Sequence, residues 1–135
     1  MVKTKFKLEN MLDEEIFEFA KLLVKNVRDS AIKSCDSQLH AQNLKAPMAK
    51  RWHDEKEKGN VEKLAEMIIS DSVDESLFYF FRAIDEGFFK ILLNAPNGKV
   101  IDLTTAGLGE LSGWYSGEWR HKYSEERSTN DFPDN

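Results

Sequence analysis

The feature that most constrains the fold lies at residues 72–84. Ser72 and Glu75 stand three apart, directly ahead of Leu77, Phe78, Phe80, Phe81 and Ile84. A Ser followed three residues later by an acid is a capping box, which satisfies free N–H groups at a helix start. The apolar run behind it covers more than half the circumference of a helix, so other elements must surround it. The pattern predicts a central, buried helix over residues 73–86, with Leu77, Phe78 and Phe81 in the core and Gly87 as its terminator. Asp71 and Asp74 flank the box, and carboxylates near a helix start need no further role.

The segments before it supply the cover. Ile16, Ala20, Leu23, Val27 and Ala31 recur at three- and four-residue steps, while Glu14, Glu15, Glu18, Lys21, Lys25 and Arg28 fill the other face. This predicts an amphipathic helix of about six turns from Met11, capped by Asn10 or Asp13 and ending between Lys33 and Gln38. Pro47 opens a short helix over residues 48–58 that Gly59 stops, and Asn60 caps a third through Leu64, Ala65, Met67 and Ile68.

After Gly87 the period changes. Residues 88–93 and 99–103 are β-rich and flank Asn94-Ala95-Pro96-Asn97-Gly98, so residues 88–103 read as a β-hairpin in which Asn97 and Gly98 accept positive φ. A lone hairpin is marginal in water, and the alternating residues 2–8 are the one candidate for a third strand. Two short helices are expected near residues 108–114 and 117–126, broken at Gly113 and Gly117, and residues 127–135 read as a flexible tail. The expected fold is α+β and predominantly α-helical: a long N-terminal helix, a helical middle, one hairpin and a helical C-terminal cap. At 135 residues and 41% hydrophobic content, residues 1–135 suit a single globular domain whose core needs no disulfide or metal.

Charge and cysteine usage narrow the class. Residues 1–60 carry 12 basic and 10 acidic side chains, whereas residues 61–135 carry 7 and 14, a net of −7. That acidic half argues against nucleic-acid binding and suits docking on a basic partner. No apolar stretch is long enough for a membrane span and the N-terminus has no secretory pattern, so a membrane role is not expected. The single Cys35 cannot form an internal disulfide, which points to a reducing, cytoplasmic setting.

Few residues carry chemistry. Gly107, Gly109 and Gly113 follow a strand, but their spacing is not a dinucleotide fingerprint and no phosphate-binding lysine accompanies them. Close backbone packing explains them. Cys35, His40, His53 and His121 do not match a zinc spacing, so no metal and no cofactor is expected. Cys35 with His40 resembles a thiol and its base, yet Cys35 continues the apolar stripe after Ala31 and reads as a small buried residue. The distinctive segment is C-terminal: Trp114, Tyr115, Trp119, Arg120, His121, Tyr123 and Arg127 combine aromatic area with polar tips and form the candidate binding residues. Packing could account for the aromatic stripe alone. Arg120 reads as a surface residue whose truncation leaves stability within about 1 kcal/mol. With no catalytic constellation, the leading expectation is a small acidic protein-interaction module, such as an immunity-type inhibitor of a basic partner. The alternatives are a small-ligand binder or enzyme with a pocket at the C-terminal segment, and a homo-oligomeric structural protein. A deep pocket lined by Trp114, Trp119 and His121 would favour the ligand binder.

Overall fold

The structure, a computed structural model, describes residues 13–126. The first helix is one continuous rod in three parts: α1 (Glu14–Leu23), a π turn (Val24–Arg28) and α2 (Asp29–Leu39). Asp13 holds the N-cap position without a side-chain bond, so the acids of the first turn supply the favourable charge there. Val27 and Ala31 are the buried points of this rod, while Ile16 and Ala20 remain exposed.

Pro47 opens α3 (Pro47–Glu57), as its missing N–H and fixed φ dictate. A Schellman motif ends the helix: the Gly59 N–H bonds the Lys56 carbonyl and the Asn60 N–H the Glu55 carbonyl. The Asn60 side chain then accepts the Lys63 N–H at 3.1 Å and starts the next helix.

That next helix corrects the sequence reading. α4 runs unbroken from Val61 to Asp85, so Ser72 and Glu75 do not form a capping box. A helix already nucleated at Asn60 needs no second start, and both side chains turn outward to α2 instead. The Cys35 thiol lies 3.7 Å from the Ser72 hydroxyl, and the Ser34 hydroxyl donates to the Glu75 carboxylate. α4 is central, as expected, but less buried than its composition suggests. Met67, Asp71, Ala83 and Ile84 are buried, Phe78, Phe80 and Phe81 are half-buried, and Leu77 is exposed.

A second Schellman motif at Gly87 closes α4, with Phe88 N–H on the Ala83 carbonyl. The hairpin follows but is shorter than the sequence implied. β1 (Leu92–Asn94) pairs antiparallel with β2 (Val100–Asp102), Leu93 opposite Ile101. Only Gly98 in its turn has positive φ, at 87°. Asn97 has negative φ, and its side chain accepts the Lys99 N–H. The Gly98 N–H to Ala95 carbonyl bond marks a tight turn followed by a glycine bulge, the usual three-residue loop. Leu103 leaves the strand because the Asp102 carboxylate accepts the Thr104 N–H and caps a helical turn, α5 (Leu103–Ala106). Among the described residues the sheet has two strands, and the candidate strand at residues 2–8 lies outside them. Phe89 docks the hairpin on the helices, edge-on to Phe19 at 5.2 Å and beside Phe80 at 5.9 Å.

The C-terminal segment is also continuous where breaks were expected. α6 (Leu111–Trp114), a second π turn (Tyr115–Trp119) and α7 (Arg120–Tyr123) form one rod. Gly113 and Gly117 take helical backbone there, because the rod is held by tertiary bonds that outweigh a glycine's cost of about 1 kcal/mol. The protein is thus predominantly helical α+β, with a two-stranded hairpin and a helical C-terminal segment. No helix among the described residues is long and apolar enough to cross a membrane.

Candidate functional site

Three aspartates on α4 hold the surrounding elements, each by a different chemistry. Asp85 receives the start of α6: its carboxylate accepts the Leu111 N–H at 2.9 Å, the Ser112 N–H at 3.0 Å and the Ser112 hydroxyl at 2.9 Å. That is an N-cap supplied from another helix, placing a negative charge on the positive end of the C-terminal rod. Eleven residues earlier, on the same face of α4, Asp74 takes the other end of the rod. Its carboxylate accepts the Tyr115 hydroxyl at 2.7 Å and Arg120 Nη1 at 3.0 Å. The two clamps set the rod antiparallel to α4.

Asp71 faces the opposite neighbour. It is 2% exposed and is the one buried charged residue among those described. Trp52 Nε1 at 2.7 Å and Arg51 Nη1 at 3.0 Å converge on its Oδ2. Trp52 is buried in consequence. Neither Asp71 nor Asp74 is an incidental flank of a helix start.

The π turn shapes the space between the rod and α4. Its wider winding brings both Tyr115 and Trp119 onto Phe81, with ring centroids at 5.6 and 5.7 Å. Trp114 packs behind Trp119 at 5.9 Å. Burial, together with the bond to the Asp74 carboxylate, pushes the Tyr115 phenol well above its ordinary value of 10.0, and the Arg120 charge only partly offsets this. Tyr115 is therefore a committed hydrogen-bond donor at neutral pH.

Beside this polar clamp, and lined in part by its residues, lies an open groove of about 710 Å³. Its floor is a row on α4 at four-residue steps: Ile69, Val73, Leu77 and Phe81. Trp119 and Tyr123 form the facing wall, with Arg120 and His121 at its polar margin. The first three floor residues are 57%, 55% and 38% exposed, unusual for large aliphatic side chains that share one surface.

The structure thus brings together Tyr115, Trp119, Arg120, His121 and Tyr123 of the residues expected at the site. Trp114 supports the wall from behind and does not line the groove, and Arg127 lies outside the described residues. Arg120 is not the surface residue its sequence context suggests. Its side chain is 20% exposed, paired to Asp74 and bonded through Nε to the Ser116 carbonyl at 2.9 Å. The sequence places Leu77 and Phe81 of the α4 half in a buried core and gives Ile69 and Val73 no role. The four-residue spacing of Ile69, Val73 and Leu77 is visible in the sequence, but nothing local says that this stripe faces an open cleft.

The other candidates are placed elsewhere. The Cys35 thiol is on Ser72, not on His40, and burial raises its pKa, which lowers its reactivity. His40 caps the exposed end of α2, and His53 lies on the outer face of α3. Among the described residues no three His, Cys, Asp or Glu side chains converge as a metal site. Gly107 is a packing glycine: a Cβ there would lie 2.7 Å from the Leu103 carbonyl oxygen and 2.4 Å from Leu111 Cγ. No protein-family description, curated protein or solved structure matches this chain.

Proposed function

We propose that the chain is a protein-interaction module whose docking site is the groove between α4 and the C-terminal rod. The observation that carries this reading is the exposed row Ile69, Val73 and Leu77 set against an aromatic wall. Full burial of one aliphatic side chain contributes about 1.5–3 kcal/mol, and the solvent-facing share of this row amounts to about one and a half side chains. A partner that covers it gains about 2–4 kcal/mol from these three residues alone. An amphipathic helix presenting apolar residues at matching steps fits such a cleft. The polar margin is already neutralised, since Asp74 pairs with Arg120 and Asp71 with Arg51. The groove therefore selects by shape and apolarity, while the acidic half of the chain steers a basic partner toward it.

A second reading rests on the volume. About 710 Å³ lies within the range of small-molecule sites, and the lining is mostly apolar with a few convergent polar groups. Here the occupant is a compact apolar ligand rather than a helix.

Val73→Asp separates these outcomes, because it places an uncompensated carboxylate in mid-groove on an exposed position that costs the fold little. Wild type and Val73→Asp are used as baits in affinity capture with mass spectrometry. A protein retained by wild type and lost in the variant supports the interaction module. If no protein distinguishes the two baits and a small molecule co-purifies with wild type alone, the groove is a ligand site.

A further inference from the structure

We infer that another face of the molecule, along the first rod, is a self-association surface that pairs two copies of this chain about a two-fold axis at Ile32. A second apolar cavity, of about 550 Å³, lies between this rod and α4, floored by Val24, Val27, Ala31, Ile32 and Cys35 and edged by Ser72 and Ser76. Val24, Ile32 and Leu39 along the same rod are 44%, 43% and 46% exposed. The π turn contributes directly. Its i→i+5 winding keeps Val24 nearly in line with Arg28, and Arg28, Ile32 and Asp36 continue at four-residue α-helical steps, so the four residues form one slowly winding stripe on a shared face.

The charges on that stripe identify the occupant. Arg28 lies four residues before Ile32 and Asp36 four after it. When two such rods pack antiparallel across Ile32, Arg28 of each copy meets Asp36 of the other, twice, and Ile32 meets Ile32. A surface that complements itself under a two-fold is what an isologous dimer requires. Neither charge is engaged strongly in the single chain. Arg28 is 3.2 Å from its exposed neighbour Asp29, a pairing of small worth, and Asp36 has no ion-pair partner among the described residues. The aliphatic side chains of one copy then fill the cavity of the other between the rod and the small Ser72 and Ser76 edge. Three helical turns give an interface at the small end of specific contacts, so association is reversible and concentration-dependent. This surface is separate from the α4 groove and leaves it open.

Sedimentation equilibrium of the full chain tests the inference. The apparent mass should rise from 15.6 kDa toward twice that value as concentration increases from about 1 to about 200 μM. Ile32→Asp and Arg28→Glu should each abolish the rise while keeping the wild-type circular dichroism spectrum. Should Ile32→Asp unfold, Ile32→Ser serves in its place. The double variant Arg28→Glu with Asp36→Arg recreates both ion pairs in reverse and should restore the dimer. Alkylation of Cys35, which lines the covered cavity, should also be slower in the concentrated than in the dilute sample. A single 15.6 kDa species at every concentration overturns the inference. So does a dimer that survives both single substitutions, or one lost in Val73→Asp alone, since that would put the second copy in the α4 groove.

Discussion

Asp71 is the group whose substitution reports most directly on how this fold is held. Both of its donors, Trp52 Nε1 and Arg51 Nη1, end on the same oxygen, Oδ2. Asp71→Asn with its amide oxygen in that position therefore keeps both hydrogen bonds and loses only the charge. Hydrogen bonds to a charged group contribute about 1.5–3 kcal/mol and neutral ones about 0.5–1.5; the Arg51 bond keeps its charged donor, so the Trp52 bond is the one that becomes neutral, weakening by about 1–1.5 kcal/mol. Asp71→Ala is a different perturbation. It strands the Trp52 N–H in the core and leaves the Arg51 guanidinium, 16% exposed, without its carboxylate. Removing one member of a buried pair costs about 3–5 kcal/mol. For a chain of this size each 1 kcal/mol moves the melting temperature by about 3–5 °C. Thermal unfolding followed by circular dichroism should thus give two well-separated decrements, Asn small and Ala large. If Asn destabilises as much as Ala, the charge and not the hydrogen-bonding geometry secures α3. If Ala costs less than about 1 kcal/mol, α3 is not anchored through Asp71 at all and the reasoning fails.

Three further outcomes follow from the same contacts. Arg120→Ala should cost about 1–3 kcal/mol rather than behave as a surface change, because it removes a charged partner from a mostly covered Asp74; urea unfolding measures it, and a loss below about 0.5 kcal/mol would refute the clamp. Tyr115, held above 10.0 by burial and by Asp74, binds its proton more tightly folded than unfolded. Its contribution to stability is therefore complete below pH 10 and declines as pH rises beyond that, and Tyr115→Phe should flatten the alkaline slope of stability against pH. Gly107→Ala should destabilise by about 1–3 kcal/mol, since the added Cβ meets backbone at Leu103 and cannot be relieved by a side-chain rotation alone; an unchanged melting temperature would show that the α5–α6 junction can open freely.

Local rules acting within a few residues made much of this protein legible in its sequence. Pro47, Gly59, Asn60 and Gly87 stop or start helices through dihedral limits, caps and backbone bonds that reach no further than five residues, and each does so in the structure. The hairpin turn is of the same kind, with Gly98 at positive φ as its sequence implies, although Asn97 beside it is not. The aromatic content of the C-terminal segment likewise marked one wall of the groove. Tertiary structure alone decided what the polar side chains of α4 bind. Ser72 and Glu75 satisfy a capping pattern, yet partners 37 and 41 residues away claim them and the helix runs through. Asp71, Asp74 and Asp85 are ordinary helix residues in sequence and become anchors because Trp52, Tyr115 and the start of α6 arrive beside them. The same holds for the floor of the groove. A helical stripe such as Ile69, Val73 and Leu77 has one spacing whether it is covered or open. Which of the two it becomes depends on where the C-terminal rod is clamped, and hydrophobic periodicity carries no information about the position of a neighbour.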